Sequence, residues 1–294
     1  MPWKQVSLRC SAAEVERLEA AMLDAGAVSV TLSDAGDHEL LEPAPGETPL
    51  WPEAVVTGLF DAQVDLDAIE ETLRPATDPS SAAEISELAD REWSRVWMER
   101  FRPMRYGRRL WVCPSWRTPP EPDAVNLLLD PGLAFGTGTH ATTALCLRWL
   151  DANPPLDQDV IDYGCGSGIL GIAALRLGAR HCAAVDLDPQ ALDATRENAR
   201  RNGLDDCLIE TCAPEALSGT ATDLILANIL AAPLIDLAPR LCALLRPGGR
   251  LVLSGILERQ VAEVAEAYAP QLELSEPVVS DDWVLLEGSR PRQS

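Results

Sequence analysis

Asp162, Gly164, Gly166 and Gly168 stand at every second position in the run VIDYGCGSGILGIAALRLGA, residues 160–179. Val160 and Ile161 suit a buried strand, the glycines a sharp turn, and Leu170 to Leu177 a helix that Gly178 stops. Glycines there expose main chain to a ligand at the carboxyl end of a strand. Asp186 follows Gly166 by about 20 residues, where a carboxylate accepts hydrogen bonds from ribose hydroxyls. Asn228 closes a second apolar run, TDLILA, and offers an amide oxygen that can accept from an amine. Before these lies PGLAFGTGTHATT, residues 131–143, with Gly132, Gly136 and Gly138 among the hydroxyls of Thr137, Thr139, Thr142 and Thr143. That loop reads as the start of a helix capped by Thr139, with free N–H groups for a ligand carboxylate. His140, next to the cap, reads as a packing or hydrogen-bonding residue rather than a base.

Two ligands compete for the glycine turn. GSGILG fits the dinucleotide pattern G-x-G-x-x-G, which supports a nicotinamide-dependent oxidoreductase. Asp162 argues against it, because a carboxylate facing a pyrophosphate across a short dry gap is unfavourable. S-adenosylmethionine has no phosphate and carries a sulfonium and an amino group, for which an acid at this point is favourable. The D-x-G-x-G-x-G form resembles the first motif of the class I methyltransferases.

The elements that must position these residues follow from the pattern. Residues 3–10 alternate as a strand, and Ser11 with Glu14 forms a capping box for a helix running to Gly26. Strands AVSVTLSD and AVVTGLF, the helix DLDAIEETL and a strand in SAAEISEL complete a β-α-β-β-α-β order, a small ferredoxin-like α+β domain over 1–88. Residues 89–106 read as a helical linker in which Trp93 and Trp97 share a face and Pro103 ends the helix. From 107 to 294, LWVCPSW and VNLLLD form a strand pair. Strands and helices then alternate as in a parallel α/β sheet, and LELSEPVVS with DWVLLEGS closes it as an antiparallel hairpin. The expected fold is a Rossmann-like, seven-stranded class I methyltransferase sheet.

Composition narrows the partners. The 294 residues are 47% hydrophobic, as in a globular chain, and no apolar run suits a membrane span. The opening MPWKQVSLRC lacks the blocks of a signal peptide, so the cytoplasm is the expected location. A net charge of −22 disfavours stable nucleic-acid binding and suits a basic protein partner. The eight cysteines contain no C-x-x-C pair and read as small buried hydrophobes, with no metal site. A monomer is expected.

Together, PGLAFGTGTHATT, DYGCGSGILGIAALRLGA, AVDLDPQAL with ENARRNG, and LANILAAPL resemble, in order and spacing, the ribosomal protein L11 methyltransferases. The resemblance covers nearly the whole chain. It implies S-adenosylmethionine as cofactor and, as substrates, lysine ε-amines and the N-terminal α-amine of the large-subunit ribosomal protein L11. It implies ligand contacts at Thr143, Gly164, Asp186 and Asn228 and substrate recognition by the N-terminal domain. The residues themselves add Asp162, Gly166 and Thr137 to the cofactor set, Asn228 as the catalytic residue, and Asp188 as the cap of a helix starting at Pro189. Amino methyltransferases usually follow the Asn or Asp with Pro-Pro-aromatic; here the motif is NILA, a wider pocket without that aromatic wall, which suits an aliphatic amine. Small Ala231 and Ala232 leave room for an amine to turn between methylations. A non-catalytic, ribosome-associated binding protein is a third reading.

Overall fold

The computed structural model describes residues 3–36, 50–77, 83–88, 101–130, 140–205, 207–217 and 221–292. Thr137, Thr139, Trp93 and Trp97 therefore lie outside the described residues. The chain divides into two compact units, 1–100 and 101–294.

In the first unit the elements are β1 (Trp3–Ser11), α1 (Val15–Asp24), β2 (Ser29–Asp34), β3 (Glu53–Asp61), α2 (Leu66–Leu73) and β4 (Glu84–Leu88). The sheet is antiparallel throughout, in the order β2-β3-β1-β4. Period-two alternation puts Val6, Leu8, Val56 and Phe60 into one core with Val15, Leu18 and Met22 of α1 and Ile69 and Leu73 of α2. Glu14 reaches back to accept from the Ser11 N–H at 3.0 Å and its hydroxyl at 2.7 Å, and a short 3-10 turn precedes α1. Asp65 caps α2 by accepting from the Asp67 N–H at 3.1 Å.

The second unit starts with β5 (Met104–Tyr106), β6 (Leu110–Cys113) and β7 (Val125–Leu128), a separate three-stranded sheet. Residues 104–106 are thus a strand, not the end of a helical linker: Tyr106 is buried against the main core and pairs with Leu110. Asn202 clips this sheet to the rest. Its amide oxygen accepts from the Leu128 N–H at 2.8 Å and its NH2 donates to the Leu128 carbonyl at 2.9 Å, in the manner of a neighbouring strand.

Then come α3 (Ala141–Ala152), β8 (Asp159–Tyr163), α4 (Ile169–Arg176), β9 (His181–Val185), α5 (Pro189–Arg201), β10 (Ile209–Cys212), β11 (Thr222–Asn228), α6 (Ala231–Leu244), β12 (Leu245–Leu257), α7 (Val261–Tyr268), β13 (Glu273–Leu274), β14 (Val278–Ser280) and β15 (Trp283–Ser289). The strands pair in the order β10-β9-β8-β11-β12-β15-β13, with β14 also on β15. All pairs from β10 to β12 are parallel, and β15 runs antiparallel. The sheet counts eight strands rather than seven because the segment read as one strand of the final hairpin splits into β13 and β14, which follow one another along β15. Pro277 stands in the gap, where it can offer no N–H to the ladder.

The order reverses at β8. The chain moves outward through β9 and β10 and then returns to the other side of β8 as β11. Such a switch point opens a crevice at the carboxyl ends of the two central strands, where α/β folds bind ligands. Two cores, one on each face of the sheet, hold those strand ends in place.

Candidate active site

Four chain segments meet at the switch point: the glycine turn after β8, the end of β9, the end of β11 and the first turn of α3. Register aligns the strand ends, Tyr163 lying opposite both Val185 and Ala227.

Gly164, Gly166 and Gly168 all take positive φ, which explains why the turn needs glycine. The Gly164 and Cys165 N–H groups donate to the Val185 carbonyl at 2.7 and 3.0 Å, which ties the turn to the end of β9. A Cβ on Gly168 would meet Thr195. The bare face of Gly164 is occupied from within the protein: a Cβ there would collide with Cγ2 of Ile229. Ile229 is pressed from the other side as well, since its backbone leaves no room for a Cβ on Gly255.

Asp186 accepts from Gly166 N–H through Oδ2 at 2.9 Å and from Asp188 N–H through Oδ1 at 3.0 Å. Both oxygens are oriented by backbone and retain a lone pair for a ligand hydroxyl. Asp188 caps α5, accepting from the Gln190 N–H at 2.9 Å.

Asp162 takes a different place from the one its sequence position suggested. It lies beneath the turn, 1% exposed, and Oδ2 accepts from the Gly171 N–H of α4 at 2.8 Å. Burial raises its carboxyl to a pKa of about 7; the Gly171 hydrogen bond opposes this and the Asp186 charge adds to it. Its role in this geometry is to anchor α4 to the sheet from the core side.

At the end of β11, Asn228 donates through Nδ2 to Oγ1 of Thr143 at 3.2 Å. Its Oδ1 is buried and has no hydrogen-bond partner among the described residues. A buried amide oxygen left unpaired costs roughly 1–3 kcal/mol unless a ligand donor completes it. Thr143 is fully buried on the first turn of α3. The cap of α3 is His140 rather than Thr139: Nδ1 faces the Thr142 hydroxyl at 2.8 Å and the Thr142 N–H at 3.4 Å. The imidazole also packs edge-on to Trp283, with ring centroids 4.9 Å apart. An aromatic pair therefore stands at the first turn of α3, although the NILA motif carries none. Ala231 does not border open space, being 2% exposed in the core; on this turn Leu230 and Ala232 are exposed.

Two buried residues of α5 brace the turn and escaped the sequence reading. Thr195 Oγ1 donates to the Gly166 carbonyl at 3.1 Å, and Asn198 Nδ2 donates to the Ser167 carbonyl at 2.9 Å. Their signal was available: polar side chains three apart, on the helix face that Ala191, Leu192 and Ala199 bury. All eight cysteines are free, and among the described residues no group of His, Cys, Asp and Glu could hold a metal ion. No helix among them is long and apolar enough to cross a membrane.

These groups fit an adenosyl ligand without phosphate: acceptor oxygens on Asp186 for a ribose, half-buried turn backbone at Gly164 and Gly166, and an acceptor on Asn228 unpaired among the described residues. With the sheet order, this defines a class I S-adenosylmethionine-dependent methyltransferase. The family model described as Ribosomal protein L11 methyltransferase (PrmA) matches residues 2–291. The chain is 50% identical over 295 residues to the ribosomal protein L11 methyltransferase of Marinobacter nauticus, covering 99% of each. It is 52% identical over 301 residues to that of Chromohalobacter salexigens, covering 99% of this chain and all of the relative. The crystal structure of a ribosomal protein L11 methylase from Lactobacillus delbrueckii subsp. bulgaricus superposes with a TM-score of 0.60 at 34% identity, over 65% of this chain and all of that one. The chain belongs to the ribosomal protein L11 methyltransferase family. The nicotinamide reading of GSGILG falls with that result.

Proposed function

We propose that this protein methylates amino groups of ribosomal protein L11, the lysine ε-amines and the N-terminal α-amine, using S-adenosylmethionine. The observation that carries the reading is Asn228 Oδ1, a buried acceptor without a donor, set beside a glycine turn and a ribose-type acid. When bound, S-adenosylmethionine would supply a methyl carbon for the amine lone pair to attack, the N–C bond forming as the C–S bond breaks and S-adenosylhomocysteine leaves.

Asp186 holds the ribose end, because its carboxylate is already aimed by Gly166 and Asp188. Asn228 Oδ1 accepts one N–H of the amine and thereby directs the nitrogen lone pair. An amide is no base at neutral pH, so Asn228 positions an amine that has already lost its proton to water; removal of water from the site favours that neutral form. Alignment of this kind supplies a large part of a transfer rate. His140 stays out of the proton path, with Nδ1 committed to the α3 cap. Thr137, Gly164 and Gly166 complete the cofactor contacts, and the unit 1–100 holds the protein substrate. The free cysteines suit a reducing cytoplasm.

The test is mass spectrometry of purified L11 incubated with the enzyme and S-adenosylmethionine. Methyl increments on lysines and the N-terminus are expected, and they should accumulate more slowly, but still measurably, with Asn228→Ala. An enzyme that binds S-adenosylhomocysteine yet leaves L11 unmodified would overturn the reading.

A further inference from the structure

The two ends of the Asn228 amide are chemically opposite. Turned one way it offers an acceptor to an incoming amine; turned the other way its NH2 opposes the N–H that the amine must place. Something has to fix the choice. Ile229, next to Asn228 in the chain, lies close to Gly164 through Cγ2 and close to Gly255 through its backbone.

Ser254 lies opposite Asn228 on β12 and its hydroxyl donates to the Val284 carbonyl at 3.0 Å, but among the described residues no hydrogen bond joins it to Asn228. Thr143 is the side chain that meets the amide. It is fully buried, it sits on a helix turn pinned by the His140 cap, and its Oγ1 receives Nδ2 of Asn228 at 3.2 Å. We infer that Thr143 is a positioning residue: its hydroxyl holds the NH2 end of Asn228, so that Oδ1 is the atom presented to the substrate amine. This deepens the functional reading given above and rests on it. It also separates two roles at one residue, since the side chain serves Asn228 whatever the backbone of that turn offers the cofactor.

A double-mutant cycle isolates the coupling. Methylation of full-length L11 at saturating S-adenosylmethionine is measured for wild type, Thr143→Ser, Thr143→Val, Asn228→Ala and the Thr143→Val/Asn228→Ala pair. Affinity for S-adenosylhomocysteine is measured for each by calorimetry. Thr143→Val should lower kcat by about tenfold, the effect of one lost hydrogen bond at the reacting group. Its S-adenosylhomocysteine affinity should fall by much less than kcat, and Thr143→Ser, which keeps the hydroxyl, should retain most of kcat. In the Asn228→Ala background Thr143→Val should cost nothing further. If thermal melting shows Thr143→Val to be unfolded, Thr143→Ala takes its place in the same cycle. An equal loss in both backgrounds, a parallel loss of cofactor affinity, or full turnover by Thr143→Val would each overturn the inference. A wild-type enzyme that binds S-adenosylhomocysteine but methylates no L11 amine would take down the functional reading, and this inference with it.

Discussion

Asp186 and Gly166, 20 positions apart in the chain, are joined by a 2.9 Å hydrogen bond from the glycine N–H to Oδ2 of the carboxylate. The residue proposed to accept a ribose on one side therefore holds the glycine turn on the other. Binding acid and binding loop form one preorganised unit, and damage to either reaches both.

The bond makes Asp186→Asn a severe change. Each carboxylate oxygen faces a backbone N–H, from Gly166 and from Asp188. An amide has one acceptor, so its NH2 must oppose one of those donors. Affinity for S-adenosylhomocysteine should fall by about 1.5–3 kcal/mol, the worth of a charge-assisted hydrogen bond. Calorimetry on the folded variant checks this, and unchanged affinity would remove Asp186 from the ribose site.

Gly164→Ala should act on Asn228 at a distance. The new Cβ enters the space of Ile229 Cγ2, and the positive φ of 74° adds roughly 1–2 kcal/mol of strain for an alanine. Shifting Ile229 shifts its neighbour, so turnover should drop more than cofactor affinity. Trimming Ile229 to Ala in the same chain should recover part of the lost kcat. If the pair is no faster than Gly164→Ala alone, the wedge does not transmit to Asn228.

Asp162 makes stability depend on pH in an unusual direction. Its folded pKa, about 7, lies above the ordinary carboxylate value of 3.8. Between those values the folded protein keeps a proton that the unfolded chain releases, so this group's contribution falls as pH rises from about 4 to 7. Asp162→Asn retains an acceptor for the Gly171 N–H and cannot ionise. Urea midpoints across that range should show the variant gaining on wild type as pH rises. A constant difference would mean that Asp162 is charged in the folded protein throughout.

A fragment beginning at Phe101 should fold and bind S-adenosylhomocysteine, since the second compact unit is 101–294 and contains Gly164, Asp186 and Asn228, the residues proposed to bind it. A cut at Tyr106 is worse, because it removes Met104 and Arg105 from β5. The 101–294 fragment should lose activity on intact L11 if the first unit holds the substrate. Full methylation of L11 by this fragment would show that it does not.

Much of this protein was legible in its sequence, for a local reason. The strand, glycine turn and helix from Val160 to Gly178, the Asp188 cap and the Glu14 contact with Ser11 all involve residues close in the chain, whose types match the backbone they adopt. The placement of Asp186 and Asn228 was readable because each follows or ends an apolar strand, and a parallel sheet brings its strand ends to one edge. Tertiary packing decided the rest. Asp162 could face the ligand or the core, and only the seating of α4, with Gly171 against β8, turned it inward. His140 took the cap from Thr139, and β14 separated from β13 at Pro277. Thr143 lies 85 positions from Asn228, and no periodicity encodes that pair. It exists because α3 packs against β11, β12 and β15, so which oxygen is left without a partner among the described residues was decided by side chains that meet only in the folded protein.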